Sequence, residues 1–164
     1  MGKHVNQIFQ MVCVVRDRDV TLDNWKRHVE FDTASIKLYS SEDLPGYQCE
    51  YKGEMISFPF KAARFNLGGI DMVLVQPLNE SGDPYSDVLK KNGQGFHHIG
   101  MYMKDPAKAV ETCKKWGYDP IACESVNGEA FLLFDLRDKI GLQFTPWDRM
   151  IGPCGPRDAQ GKTI

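Results

Sequence analysis

Apolar and polar positions recur along this chain in two blocks of the same form. Residues 10–17 read Gln-Met-Val-Cys-Val-Val-Arg-Asp, and residues 98–105 read His-Ile-Gly-Met-Tyr-Met-Lys-Asp. Each apolar run ends in a basic residue and an aspartate, and each is followed by a helix-like segment and three strand-like runs. The pattern predicts a duplicated βαβββ unit, because two such copies can pack as a pseudo-symmetric pair around a cleft. Gln10 and His98 begin the two runs, so we expect both to face that cleft.

Turn and cap residues divide the blocks into elements. Gly68-Gly69 and Asn127-Gly128 each separate two apolar runs and predict hairpins. Asp105-Pro106 predicts the start of a helix, with Asp as the cap and Pro at the first position. Pro59 leaves residues 51–60 ambiguous between an edge strand and irregular chain. The predicted strands are residues 8–15, 35–39, 62–67, 70–75, 97–103, 120–125, 130–135 and 140–144, and the predicted helices begin near residues 19, 85 and 105.

The repeat divides the chain into four parts. Residues 5–78 form the first βαβββ module, and residues 79–94 form a linker with a short helix. Residues 95–148 form the second module. Residues 149–164 are a tail rich in Gly and Pro, to which no function is assigned.

Composition narrows the class of protein. A length of 164 residues suits one domain or two tightly joined half-domains. The net charge of −2 gives no electrostatic basis for nucleic-acid binding. No apolar run approaches the roughly 20 residues that a membrane span needs, and no secretory signal is recognisable at the N-terminus. The five cysteines are odd in number and form no CxxC pair, so they predict free thiols and a cytoplasmic location.

Three short motifs in this chain resemble one known superfamily. They are Leu67-Gly68-Gly69, Val75-Gln76-Pro77-Leu78 and Gly95-Phe96-His97-His98-Ile99-Gly100, with Tyr51-Lys52-Gly53 before them. They resemble the vicinal oxygen chelate superfamily, and within it the methylmalonyl-CoA epimerase branch. The resemblance implies an α+β fold in which tandem βαβββ modules form a half-open, mostly antiparallel barrel. It also implies a divalent metal inside the barrel and a homodimer.

The metal-ligand positions of that superfamily are incomplete here. The resemblance assigns them to the first and last strand of each module. The first strands supply Gln10 and His98, but the last strand of the first module supplies Val73, which cannot bind a metal. The last strand of the second module supplies Thr145 or Gln143 in place of a glutamate. A cation on one histidine and amides, without a carboxylate, is weakly held, so we predict that no metal is required, with Gln10 and His98 as ligands if one binds.

Four residues are therefore the candidates for catalysis. His98 has the titration range of a general acid or base, while Gln10 and Gln143 are expected to face the pocket as hydrogen-bonding groups. Asp71 shares the strand face of Val73 and is a candidate for a displaced carboxylate. The residue beside His98 is expected to be structural, because His97 points to the other face of a regular strand. Lesser candidates are Tyr102, Glu50 and Glu54.

The incomplete ligand set also bears on the substrate. Epimerases of this kind remove a proton next to a carbonyl, and the resulting enolate needs stabilisation. For a thioester, whose α-proton is weakly acidic, a metal stabilises the enolate. A ketone whose α-carbon bears an aryl ring has a more acidic α-proton, so hydrogen-bond donors can stabilise its enolate. The chain thus resembles the dihydrodaidzein racemases, which interconvert isoflavanone enantiomers. We predict a racemase or epimerase of an aromatic ketone. The alternatives are a metal-free small-molecule binding protein and a metal-dependent methylmalonyl-CoA epimerase. A metal-dependent lyase or dioxygenase is disfavoured, because the dioxygenases need two histidines and one carboxylate, and the matched positions here give one histidine and no carboxylate.

Overall fold

Eleven strands run through the part of the chain that this computed structural model describes, residues 7–126, 129–148 and 152–153. They are β1 Gln7–Val14, β2 Lys37–Ser40, β3 Gln48–Tyr51, β4 Glu54–Ile56, β5 Phe60–Leu67, β6 Ile70–Pro77, β7 Gly95–Tyr102, β8 Ala122–Val126, β9 Glu129–Leu136, β10 Leu142–Asp148 and β11 Gly152–Pro153. The predicted Asn127-Gly128 turn lies outside the described residues, as does the tail apart from β11.

The sheet shows the duplication directly. In each module the first strand pairs parallel with the last, and the others follow antiparallel: β1-β6-β5-β2 in the first module and β7-β10-β9-β8 in the second. The two modules meet where β1 and β7 pair antiparallel. The sheet curls into a half-barrel, so the predicted α+β fold of tandem modules in a half-open, mostly antiparallel barrel is confirmed.

One hairpin crosses from the first module to the second. β3 and β4 lie in the first module by sequence, but β3 pairs antiparallel with β8 at the far edge of the sheet. Lys52 adopts a positive φ of 53° in the turn between them, next to Gly53. The ambiguous segment 51–60 is therefore an edge strand, β4, followed by irregular chain before β5.

Four helices complete the described structure: α1 Arg18–His28, α2 Pro84–Asn92, α3 Pro106–Lys115 and the short α4 Arg137–Ile140. Asp17 caps α1 by accepting hydrogen bonds from two backbone N–H groups, so α1 begins slightly before the predicted residue 19. Asp105 caps α3 with Pro106 at its first position, as predicted. Among the residues described, no helix has both the length and the apolar character to cross a membrane.

The core has an outer and an inner part. α1 packs Leu22 against Phe65 and Leu74 on the outside of the first module, and α3 packs Cys113 near Phe134 on the outside of the second. A third cluster, which includes Val12, lies on the inner side of the curled sheet. Because the helices cover the outer faces, the concave face of the sheet is free to form a cavity.

Candidate functional site

A cavity of about 600 Å³ opens on the concave side of the half-barrel. This volume is typical of small-molecule pockets. Its walls are rich in aromatic rings, which come from both modules and from the intervening helix. Those rings belong to Tyr39, Tyr47, Phe60, Tyr85, Phe131 and Trp147. A cavity with this lining fits an apolar, planar ligand that carries few polar groups.

The four positions that the resemblance singled out meet in this cavity. Gln10, Val73, His98 and Thr145 all line it. Gly100 explains part of this arrangement, because it pairs with Gln10 on one side and with Thr145 on the other. The equivalent strands of the two modules thus present equivalent residues to one space, as the duplication predicts.

The two neighbouring histidines lie on the same side of β7, contrary to the expectation for His97. β1 and β7 shift register here: Val12 pairs with His98 and Cys13 with Phe96, which leaves His97 without a partner on β1. Such a bulge breaks the alternation of side chains between faces. His97 is therefore buried against the Tyr85 ring, with ring centroids 4.7 Å apart.

Hydrogen bonds define the protonation of both imidazoles. His97 Nε2 lies 3.0 Å from the carbonyl oxygen of Pro84, which can only accept, so Nε2 carries the proton. In neutral His97 the other nitrogen, Nδ1, then accepts. His98 Nδ1 lies 2.8 Å away and must donate to it. His98 Nε2 is left as the basic nitrogen, with a lone pair free to take a proton.

Burial holds both histidines in the neutral form. Desolvation lowers the pKa of His98 well below its usual value of 6.5, and the neighbouring His97 lowers it further. Desolvation likewise lowers the pKa of His97, although the Pro84 carbonyl acts in the opposite direction. His98 is thus a base that is unprotonated at neutral pH.

Glu124 is a site residue that the sequence analysis missed. It projects from β8 into the cavity, and Tyr85 Oη donates to its Oε1 over 2.8 Å while Tyr47 Oη donates to its Oε2 over 3.1 Å. Desolvation raises the pKa of Glu124, and the two tyrosine hydrogen bonds oppose this rise. The carboxylate in turn helps burial to raise the pKa of Tyr47 and of Tyr85.

A signal for Glu124 was present in the strand pattern. Ala122 and Val126 lie two positions before and after it, so all three share one face of β8. A carboxylate between two apolar residues on one strand face indicates either an ion pair or a functional group. The tyrosines that hold it come from segments distant in sequence.

Two other predicted candidates do not line the cavity. Asp71 forms an ion pair with Arg64, which lines the cavity, and it pairs in register with Gln10. Gln143 is buried on β10, and its Oε1 has no hydrogen-bond partner among the described residues.

The lesser candidates lie outside the cavity walls as well. Glu50 and Glu54 are exposed on β3 and β4. The Tyr102 ring stacks on Phe9 with centroids 4.1 Å apart, so it serves packing at the end of β1 and β7.

The donor set at the four equivalent positions does not fit a divalent metal. Gln10, Val73, His98 and Thr145 offer an amide, an alkyl group, an imidazole and a hydroxyl. Zinc, iron and manganese sites in proteins need more nitrogen, sulfur or carboxylate ligands than this. Nowhere in the described residues do three His, Cys, Asp or Glu side chains gather in a metal-binding group.

A sequence profile of the Glyoxalase/Bleomycin resistance protein/Dioxygenase superfamily matches residues 9–131. The chain belongs to this superfamily. The vicinal oxygen chelate fold, with paired modules around one cavity, is the architecture that the sequence motifs indicated. No curated protein sequence matches the chain.

Solved structures of this superfamily fold are similar over most of their length. A hypothetical protein from Bacillus halodurans is 19% identical, with 86% of this chain and 92% of that chain covered and a TM-score of 0.58. Methylmalonyl-CoA epimerase from Mycobacterium tuberculosis is 14% identical, with 85% of each chain covered and a TM-score of 0.56. A variant of the Streptomyces coelicolor epimerase, in complex with 2-nitronate-propionyl-CoA, is 15% identical, with 90% and 97% covered and a TM-score of 0.57. At these identities the likeness concerns the fold.

Proposed function

We propose that this protein is a racemase or epimerase that moves a proton at a carbon next to a carbonyl, with His98 as a proton-transfer group. The observation that carries the proposal is the neutral imidazole of His98 on the wall of an aromatic cavity. Its Nδ1–H donates to His97, and within the described part of the chain no hydrogen bond occupies its Nε2, which can therefore act as a base. A positioned base of this kind contributes about 10²- to 10⁴-fold to the rate of proton transfer.

The chemistry requires a group that stabilises the enolate. When Nε2 takes the α-proton, the C–H electron pair forms the enolate and the negative charge develops on the carbonyl oxygen. Gln10 and Thr145 line the cavity with His98, and both pair with Gly100, two positions along β7 from His98. The amide N–H of Gln10 and the hydroxyl of Thr145 are suited to donate hydrogen bonds to that oxygen.

The lining of the cavity favours an aromatic substrate. Six aromatic side chains surround the polar groups, which suits ring stacking and edge contacts with a planar molecule. An aryl ring on the α-carbon delocalises the carbanion, so hydrogen-bond donors suffice where a thioester needs stronger stabilisation. An isoflavanone such as dihydrodaidzein has this chemistry. A homodimer, a cytoplasmic location and independence of metal belong to the same proposal.

A second candidate function is metal-free binding of an aromatic small molecule. The apolar fraction of the lining favours it, since binding alone needs no proton transfer. A third candidate function is metal-dependent methylmalonyl-CoA epimerase activity. Val73 and Thr145 argue against it, because they occupy two of the four metal-ligand positions.

The experiment that separates these functions follows α-proton exchange by NMR in deuterated buffer. An isoflavanone and methylmalonyl-CoA are each incubated with protein that has or has not been treated with a chelator. Exchange on the isoflavanone that survives chelation supports the proposal. Exchange on the thioester alone, lost with the chelator, identifies an epimerase of the metal-dependent kind. Binding of the isoflavanone without exchange supports the binding protein.

A variant pair then tests His98 itself. His98→Gln is expected to slow racemisation of an isoflavanone by about 10²-fold or more, because it removes the positioned base. His28→Gln is the matched control, since His28 is exposed on α1 and, among the described residues, its ring bonds to the carbonyl oxygen of Asn24 in its own helix. Near-normal racemisation by His98→Gln removes His98 from the mechanism.

A further inference from the structure

We infer that Glu124 is the second proton-transfer group of this site, acting on the face of the substrate carbon opposite to His98. The inference rests on the proposed racemase function and deepens it. Racemisation needs a proton removed from one face and another delivered to the other face, and two groups on different walls of a cavity meet that need.

The sheet separates the two groups in the way that such chemistry requires. His98 lies on β7 and Glu124 on β8, with β10 and β9 between them in the sheet order. Strands in a sheet are about 4.8 Å apart, so the two backbone positions are about 14 Å apart along the sheet. Because the sheet curls, both side chains project into the same cavity from different walls. A substrate in the cavity is then flanked by an imidazole and a carboxyl group.

Tyr85 connects the two groups. Its hydroxyl donates to Glu124 Oε1 over 2.8 Å, and its ring centroid is 6.5 Å from that of His98. The same ring stacks on His97, the residue that orients His98. Tyr47 holds the other carboxylate oxygen, so both Glu124 oxygens have a defined position.

No cation neutralises Glu124 within the described ranges of the chain. The ion pairs there involve other carboxylates, and the partners of Glu124 are two neutral hydroxyls. A half-buried carboxyl that no cation neutralises is costly to ionise. Burial therefore shifts the pKa of Glu124 upwards and the pKa of His98 downwards. Relative to free side chains, both shifts favour the protonated form of the carboxyl and the neutral form of the imidazole.

In the reaction that we infer, the starting forms are a protonated Glu124 carboxyl and a neutral His98 imidazole. His98 Nε2 takes the α-proton of one enantiomer, and the C–H electron pair becomes the enolate. The Glu124 carboxyl O–H then delivers its proton to the other face of the carbon, and the carbonyl re-forms. The site is left with an imidazolium and a carboxylate, and a proton passing from the first to the second through water in the cavity restores it. The other enantiomer reacts by the same steps in reverse order.

Enantiomer-resolved exchange tests this role, because a merely structural residue cannot produce a one-sided result. Each pure isoflavanone enantiomer is incubated in deuterated buffer, and racemisation and α-deuteration are followed separately. Glu124→Gln is expected to slow racemisation by about 10²-fold or more. It should retain α-deuteration of one enantiomer, the one whose proton His98 removes. His98→Gln should retain deuteration of the other enantiomer. The matched control is Glu111→Gln on the exposed face of α3, which should change neither rate.

The outcomes separate the two proposals. If the unaltered protein neither deuterates nor racemises the isoflavanone, the proposed function fails and the role of Glu124 fails with it. If the unaltered protein racemises and Glu124→Gln racemises at the same rate, or deuterates both enantiomers at equal rates, only the role of Glu124 is overturned.

A second variant covers the case in which Glu124→Gln does not fold. Tyr85→Phe keeps the ring on His97 but removes a hydrogen bond that lowers the pKa of Glu124. The high-pH limb of kcat/KM, which reports loss of the carboxyl proton, should move to higher pH. A limb that stays in place overturns the inference.

Discussion

The Nδ1 atoms of His97 and His98 lie 2.8 Å apart, and the direction of the hydrogen bond between them is determined by the backbone. Because the Pro84 carbonyl accepts from His97 Nε2 over 3.0 Å, His97 Nδ1 is an acceptor and His98 Nδ1 is a donor. His97 is thus a positioning residue. It orients the His98 ring in the way that hydrogen-bond acceptors orient metal-bound histidines.

We expect His97→Phe to lower kcat about tenfold, because His98 loses its acceptor and is no longer held in one tautomer. The pKa of His98 is lowered first by burial and second by His97, so this variant should raise it towards 6.5. The base form is lost as pH falls, and the acid limb of kcat/KM should therefore move to higher pH. His97→Gln, whose amide can accept from His98 and donate to Pro84, should restore part of the activity. His28→Phe is the control on the exposed helix α1; an unmoved acid limb in His97→Phe contradicts the assignment.

The close contact between Gly100 and Phe9 gives a stability prediction. A Cβ atom on residue 100 would lie 2.8 Å from Phe9 Cζ, and the ring is held by stacking on Tyr102 and by an edge contact with Trp147. Gly100→Ala should therefore reduce the free energy of unfolding in urea by about 1–3 kcal/mol, the usual cost of overpacking. In a Phe9→Leu background, Gly100→Ala should reduce the free energy of unfolding by a smaller amount. Equal costs in both backgrounds would show that the ring is not the obstacle.

The local sequence pattern predicted the modules and the placement of the first-strand residues. Alternation and turn residues are local properties, and they were enough for the Gly68-Gly69 hairpin and for the placement of Gln10 and His98 in one cavity. They were not enough for His97, because a bulge arises from the register with β1, a strand far away in sequence. A pattern within one strand contains no information about that register.

Long-range contacts account for the other differences. The two tyrosines that donate to Glu124 are 77 and 39 positions away in sequence. The residues around Glu124 therefore do not reveal the hydrogen bonds that hold its carboxylate. The β3–β4 hairpin likewise belongs to the first module by sequence but pairs with β8 of the second. Asp71 was predicted as a displaced carboxylate because it shares a strand face with Val73. In the structure it forms an ion pair with Arg64 on the neighbouring strand.

The composition of the ligand positions predicts metal-independent activity. With Val73 and Thr145 at two of the four positions, we expect isoflavanone exchange to be unchanged by a chelator, and we expect negligible Mn²⁺ or Co²⁺ binding by calorimetry. Val73→Glu adds a carboxylate beside His98 and Gln10 and should produce measurable cation binding. Loss of activity on chelation, with recovery on addition of a divalent cation, contradicts this prediction.

Asp87 links the β3–β4 turn to α2 and gives a pH-dependent stability prediction. Its Oδ1 accepts from the Gly82 N–H over 2.9 Å, and its Oδ2 accepts from Lys52 Nζ over 2.6 Å and from Tyr51 Oη over 3.0 Å. The Gly82 hydrogen bond and then the Lys52 pair lower the pKa of Asp87 below 3.8. A lowered pKa means that the carboxylate stabilises the folded state above the unfolded-state value, and that this stabilisation is lost as pH falls through the folded-state value.

Asp87→Asn keeps an acceptor for Gly82 but removes the charge that Lys52 contacts. We expect it to lower the free energy of unfolding by about 1 kcal/mol at pH 7. Below the folded-state pKa the two proteins should be equally stable, because Asp87 is then protonated in both its folded and unfolded forms. Urea denaturation between pH 2 and pH 7 measures this convergence. Glu111→Gln, which breaks an exposed pair with Lys115 on α3, is the control and should leave stability unchanged at pH 7. A constant difference between Asp87→Asn and the unaltered protein across the pH range would mean that the charge of Asp87 does not stabilise the hairpin.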